Sequence, residues 1–197
     1  MRALIMAGGA GSRLGMGEKP LLSVRGRPMI GYVTDAFRRA GCEPVVVASS
    51  KTPMTMNWCR AHGIAVMRAG CTGFVEDMIA AVSELEETGP VMVSVSDIPC
   101  LTPKIITTVC ETYARAGRDA LSTWVPARLV FSCRGSMPYR EQVGGTDACP
   151  AGINILRGDG IAAEQDEYQL LLDEPCLALN INTPEDLARA EAFLASR

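Results

Sequence analysis

Short apolar runs alternate with stretches of helical period along most of the chain. The first run, residues 2–7 (RALIMA), lacks polar alternation and predicts a strand buried inside a sheet. Residues 28–40 place Met29, Ile30, Val33, Ala36, Phe37 and Ala40 on one face. This spacing predicts an amphipathic helix with Pro28 in its first turn and Gly41 as its stop. A valine-rich strand is expected at 44–48, a helix at 53–61 ending near His62-Gly63, and a strand at 64–67. An amphipathic helix follows at 74–85, with Glu76 and Asp77 in its first turn, where acids suit the helix dipole. Strand 90–95, helix 103–116 and strand 120–125 continue the rhythm. Such alternation predicts βαβ units, an α/β fold and a mostly parallel sheet with right-handed crossovers. Sheets of this kind bind ligands at the carboxyl ends of their strands. That rule puts the segment after residue 7, Ser49-Ser50, residues 68–73 and Asp97 on one rim.

The rhythm breaks over 126–148, where Arg128, Arg134 and Arg140 stand among Gly135, Pro138, Gly144 and Gly145. We expect an irregular insertion here, either a hairpin packed over the rim or a solvent-exposed connection. A strand resumes at 149–156, a short helix is expected near 166–172, and a last strand at 177–181. Thr183 as N-cap with Pro184 at the first helical position then opens the closing helix.

At 197 residues, 48% of them apolar and 21% charged, the chain suits one domain, 1–197, with a substantial core. A net charge of −3 speaks against a nucleic-acid partner, which needs a basic surface. No apolar run approaches the ~20 residues that span a bilayer. The first strand also begins at residue 2, so no signal peptide is expected and the location expected is cytoplasmic. Eight cysteines and one histidine show no CxxC pair, so a zinc site is not expected. The cysteines are expected mostly as small buried residues, and His62 as structural or solvated.

Chemistry enters with the segment after the first strand. Ala7 leads into Gly8-Gly9, then Gly11, Ser12, Arg13, Gly15 and Lys19. Glycines let backbone approach a ligand closely, and successive free N–H groups form a concave anion site. Arg13 and Lys19 add mobile positive charge where phosphates would lie. The alternative is a tight strand-to-helix turn with two solvated cations. The spacing fits neither GxxxxGK[ST] nor GxGxxG. Asp97 directly follows an apolar strand, which presents its carboxylate at the rim. Transfer chemistry on phosphates uses a hard cation such as Mg2+, held by one or two carboxylates and the substrate's phosphate oxygens; otherwise Asp97 caps the next turn. Asn154, inside the apolar GINI run, must find a polar partner, and Asn180 and Asn182 flank the last predicted strand. Asp147, Asp173 and Asp186 are unplaced candidates for a second metal carboxylate.

Four pieces of the chain, AGGAGSRLGMGEKP, SDIP, PAGINI and NINTPEDLARAE, together resemble a known family. They are similar to the nucleotidyltransferases of the molybdenum-cofactor guanylyltransferase type. GFVEDM, PAGINI and NINTPEDL bring the chain nearest to the archaeal GTP:adenosylcobinamide-phosphate guanylyltransferases of that superfamily. SDIP is closer to the molybdenum-cofactor enzymes. The resemblance implies a three-layer α/β/α Rossmann-like fold with a mostly parallel mixed sheet. It implies GMP transfer from GTP to adenosylcobinamide phosphate. Ala7, Gly8, Gly9, Gly11, Ser12, Arg13 and Lys19 would wrap the triphosphate, and Ser49, Ser50 and Gly73 would border the nucleoside. Asp97 would hold Mg2+, with Arg13, Lys19 and Asp97 as the catalytic set. Gly152, Asn154, Asn180 and Asn182 would face the acceptor. The partners expected are these two small molecules, with a homodimer as the assembly to test for. A molybdenum-cofactor guanylyl- or cytidylyltransferase, a sugar-phosphate nucleotidyltransferase and a non-catalytic nucleotide-binding domain are the alternatives.

Overall fold

The computed structural model describes residues 1–9, 17–130 and 139–196. Gly11, Ser12, Arg13, Gly15, Cys133, Arg134, Gly135 and Pro138 therefore lie outside the described residues. The elements in chain order are β1 (Arg2–Met6), β2 (Ser23–Val24), β3 (Arg27–Pro28), α1 (Met29–Arg39), β4 (Glu43–Ala48), α2 (Pro53–Ala61) and β5 (Ala65–Arg68). There follow α3 (Phe74–Glu84), β6 (Pro90–Val95), α4 (Pro103–Ala116), β7 (Ala120–Pro126), β8 (Glu141–Val143), β9 (Thr146–Arg157), β10 (Glu167–Leu171) and α5 (Pro184–Ala195).

Among the described residues the main sheet has eight strands, in the order β10-β7-β9-β6-β1-β4-β5, with β8 paired to β9. β1 runs parallel to both β4 and β6, β4 to β5, and β10 to β7. β9 is antiparallel to β6, β7 and β8. The sheet is thus the mixed, mostly parallel one expected.

Alternation along β1 explains why both faces are covered. Ala3 and Ile5 join the larger core with Met29, Ile30, Val33 and Phe37 of α1, Ile105, Ile106 and Val109 of α4, and Ala190 of α5. Leu4 faces the other way, onto Ala81 and Val82 of α3 together with Val45, Val47 and Val91. Helices on both faces give the three layers.

Two expectations are overturned. Residues 166–172 do not form a helix; β10 pairs in parallel with β7, and Leu172 N–H continues the ladder to the Trp124 carbonyl. So short a segment cannot offset helix nucleation, whereas an open sheet edge offers it a ready row of partners. Residues 177–181 are not a strand. Pro175–Ala178 forms a 3-10 turn that buries Cys176 and Leu177 in the main core. Pro175 suits the start of that turn because it has no N–H to contribute to a ladder. The 126–148 insertion does contain a hairpin, β8–β9, turned by Gly144 and Gly145 with φ of 55° and 80°.

The topology fixes where a ligand can go. From β1 the chain lays β4 and β5 on one side, then crosses back to place β6 on the other. The carboxyl end of β1 is therefore a topological switch point, where crossovers leave in opposite directions and open a crevice. Gly8-Gly9 leaves the sheet at that crevice.

Candidate active site

A cavity of about 380 Å³ occupies the crevice. Its floor is Met6, Gly8 and Gly9 from the end of β1 and Val95, Ser96 and Asp97 from the end of β6. Lys19 and Pro20 close one side, and Lys51, Cys71, Gly73, Phe74 and Asp77 form the other.

Ala7 is buried, and its N–H extends the β1 ladder to the Val47 carbonyl at 2.8 Å. Ser49 is also buried and lies beneath Gly8 as a support. Its Oγ donates to the Gly8 carbonyl at 2.7 Å and accepts from Lys51 N–H at 3.1 Å. A methyl on Gly8 would sit 3.3 Å from Ser49 Cβ, so glycine lets the backbone lie close against this support. Ser50 is exposed and lies 3.4 Å from Cys71 Sγ. Hydrogen bonds from Ser50 and Ser49 hold the Cys71 thiol below the usual thiol range.

Lys19 is held at the centre. Its Nζ donates to Asp97 Oδ2 at 2.5 Å and to Asn182 Oδ1 at 2.8 Å. Asn182 Nδ2 donates in turn to Asn180 Oδ1 at 2.7 Å. Three distant pieces of chain meet through this lysine. The Ile181 N–H locks the last of them to the Asp97 carbonyl at 2.9 Å. The capping box of α5, in which Thr183 and Asp186 bond each other's backbone, fixes the segment that carries Asn182. The closing helix thus sets the position of a site residue.

Asp97 uses only one oxygen in this network. Oδ1 is buried and has no hydrogen-bond partner among the described residues. A buried, unpaired carboxylate oxygen is costly unless a donor or a cation meets it. Asp97 therefore fits a Mg2+ ligand, with Oδ2 given to Lys19 and Oδ1 left for the ion. Among the described residues no three His, Cys, Asp or Glu side chains converge as a metal cluster. The other candidate carboxylates have different work. Asp147 pairs with Arg140 at 3.0 Å, Asp173 pairs with Arg128, and Asp186 caps α5. A single protein carboxylate with phosphate oxygens completing the shell is a common Mg2+ arrangement.

Gly152 is placed against the cavity wall. It has φ +79°, and a Cβ there would lie 2.6 Å from Val95 Cγ2. Asn154 does not line the cavity. It lies opposite Val93 and Ser122, and its Oδ1 accepts from Thr123 N–H at 3.4 Å, where the β7–β9 register shifts. The partner required of a polar residue in an apolar strand is this backbone group. His62 stacks on Trp58 at 4.0 Å and does not line the cavity.

Sequence reasoning missed Glu18 altogether. Its carboxylate accepts from Met54 N–H and Thr55 N–H, both at 2.7 Å, and from Thr55 Oγ1 at 2.6 Å. These are orphan donors of the first turn of α2, so Glu18 caps a helix remote in sequence and thereby anchors the residue next to Lys19. Local sequence gives no signal for a cap supplied from so far away. Lys51 and Asp77 were also not read as cavity residues; Lys51 follows Ser49-Ser50 and Asp77 sits on the first turn of α3, next to the 68–73 segment expected on the rim.

Residues 3–177 match the family model described as a MobA-like NTP transferase domain. The adenosylcobinamide-phosphate guanylyltransferase of Methanocaldococcus jannaschii is 32% identical, over 98% of this chain and 97% of that protein. A probable molybdenum cofactor guanylyltransferase of Trichormus variabilis is 25% identical, over 95% of this chain and 89% of its own length. Among solved structures, a CMP:2-keto-3-deoxy-manno-octonic acid synthetase complexed with CTP superposes with a TM-score of 0.72 at 17% identity, covering 99% of this chain and 98% of that one. A hypothetical transferase of Thermus thermophilus does so with a TM-score of 0.70 at 18% identity, over 95% of this chain and all of the other. These likenesses show the α/β fold. The chain belongs to the MobA-like NTP transferase family and is a nucleotidyltransferase.

Proposed function

We propose that this enzyme transfers GMP from GTP to adenosylcobinamide phosphate, giving adenosylcobinamide-GDP and pyrophosphate, a step of cobalamin assembly. The observation that carries the reading is the near full-length match to a guanylyltransferase of that acceptor. The cavity supports it, because Lys19, Asp97 and Asn182 meet at the switch point beside a glycine floor.

In this reading Gly8, Gly9, Gly11 and Ser12 lie along the triphosphate, with Arg13 and Lys19 neutralising its charge. Ser49 supports Gly8 from beneath, and Ser50 and Gly73 border the nucleoside. A phosphate oxygen of the acceptor attacks the α-phosphorus of GTP, the bond to the β-phosphate oxygen breaks, and pyrophosphate leaves. The acceptor is already an anion, so the step needs no strong base. Catalysis then rests on positioning and on charge placed where it develops. When bound, Mg2+ neutralises phosphate charge and polarises the α-phosphate, with Asp97 as its protein ligand. Asn180, Asn182 and Gly152 stand on the acceptor side. Asn154 acts one step removed, by fixing β9 behind Gly152.

The test is pyrophosphate release from GTP and Mg2+ with each acceptor in turn. Adenosylcobinamide phosphate should support turnover. Release with molybdopterin instead would move the enzyme to the molybdenum-cofactor branch, release only with a sugar phosphate would move it to the sugar nucleotide enzymes, and release with no acceptor at all would overturn the transferase reading.

A further inference from the structure

Two kinds of group line the cavity. Gly8, Gly9, Lys19 and Lys51 suit an anion. The loop after β5 and the first turn of α3 contribute Cys71, Gly73, Phe74 and the carboxylate of Asp77. Asp77 is half-buried, and only its Oδ1 is engaged: it accepts from Thr72 N–H at 3.3 Å and Thr72 Oγ1 at 3.2 Å. Its Oδ2 accepts no hydrogen bond from the described residues. Lys19 neutralises the Asp97 carboxylate, whereas Asp77 has no paired cation among the described residues, so it repels a polyphosphate and suits a donor of the nucleoside that Ser50 and Gly73 border in the reading above. The ribose hydroxyls are the same in every ribonucleotide, and only the base can be selected.

The four common bases differ in what they offer a carboxylate. Guanine presents N1–H and the N2 amino group side by side, two donors for two acceptor oxygens. Adenine and cytosine each pair one amino group with a ring nitrogen that is an acceptor. Uracil flanks a single N–H with two carbonyls. An ionised carboxylate is acceptor-only, so it favours guanine and meets a lone pair on each of the others. Resting on the GTP reading above, we infer that Asp77 is the specificity-determining residue that selects guanine by accepting from its N1–H and N2 amino group. Thr72 orients the carboxylate from the side away from the base. Glu76 is the neighbouring acid, but it is exposed, folds over Gly73 and does not line the cavity.

The experiment titrates the full chain with GTP, ITP, ATP and CTP in the presence of Mg2+. ITP is guanosine triphosphate without the N2 amino group and so isolates one of the two contacts. The native enzyme should prefer GTP to ITP by about 10- to 100-fold, the range for a hydrogen bond to a charged group. Asp77→Asn should bring that ratio to within about threefold of unity, since one charged acceptor pair is lost, and should not weaken ATP binding. Glu76→Gln leaves the Asp77 carboxylate in place and should keep the preference; melting temperatures show that each variant is folded. A GTP preference that survives Asp77→Asn, or that collapses in Glu76→Gln instead, overturns the inference and leaves the guanylyl reading intact. Tightest binding of CTP or ATP by the native enzyme overturns both.

Discussion

Replacing Asp97 by Asn removes one negative charge from the centre of the site and changes little else in shape. The side chains of Lys19 and Asp97 are each 15% exposed and meet at 2.5 Å. Two effects follow, and they separate in size. Breaking a fully buried pair costs ~3–5 kcal/mol and an exposed one ~0–1 kcal/mol, which places this nearly buried pair at about 1–2 kcal/mol because Lys19 keeps Asn182 as a partner. For a chain of this length that is a fall of roughly 2–8 °C in melting temperature. The effect on chemistry is larger. Removing one group that stabilises transition-state charge costs about 10²- to 10³-fold in turnover. Asp97→Asn should therefore bind GTP within a few-fold of the native enzyme and release pyrophosphate at least ~100-fold more slowly. The assay is initial-rate pyrophosphate release well below the melting temperature, with calorimetric titration of GTP alongside. Turnover within about threefold of native, in a folded variant, would refute the role of Asp97 as the metal-holding carboxylate.

Glu18→Ala removes a cap of α2 and should cost ~1–2 kcal/mol of stability by denaturant titration. It should also weaken GTP binding through Lys19, which Glu18→Gln should partly restore. Gly152→Ala introduces a methyl 2.6 Å from Val95 at φ +79° and should lower stability by ~1–3 kcal/mol and slow turnover with it; a neutral outcome would show that β9 can shift away from the site. Cys71 is exposed and its thiol is held low by Ser50 and Ser49, so its thiolate is present at lower pH than that of an ordinary cysteine. Burial pushes Cys59 up to about 11. At pH 7.5 peptide mapping after alkylation should find Cys71 modified ahead of the buried Cys59, Cys100, Cys149 and Cys176, and GTP should slow that modification.

The residues that were legible in the sequence share a local cause. Buried strands such as 90–95 and one-faced helices such as 103–116 are written in consecutive residues, and β6 and α4 have those bounds. The switch-point rule then carried Gly8, Gly9 and Asp97 to one cavity with no knowledge of contacts. What failed depends on partners elsewhere. Residues 167–171 become a strand only because the edge of β7 is open to them, and Leu177 fills the main core in place of extending the sheet. The polar partner that Asn154 requires is the Thr123 backbone at a register shift, which sequence does not reveal. Glu18 caps α2 from outside it, and Asn182, held by the cap of α5, joins the site through a lysine near the other end of the chain. No helix among the described residues is long and apolar enough to cross a membrane.

The central claim is that the bond broken lies between the α- and β-phosphates of GTP and that the acceptor keeps the α-phosphate. Parallel reactions with GTP labelled at the α- or the γ-phosphorus, adenosylcobinamide phosphate and Mg2+ read this directly. The α-label should appear in the cobinamide product and the γ-label in pyrophosphate, and both transfers should be lost in Asp97→Asn. A γ-label on the acceptor, or an α-label found only in free GMP or GDP, would contradict the account.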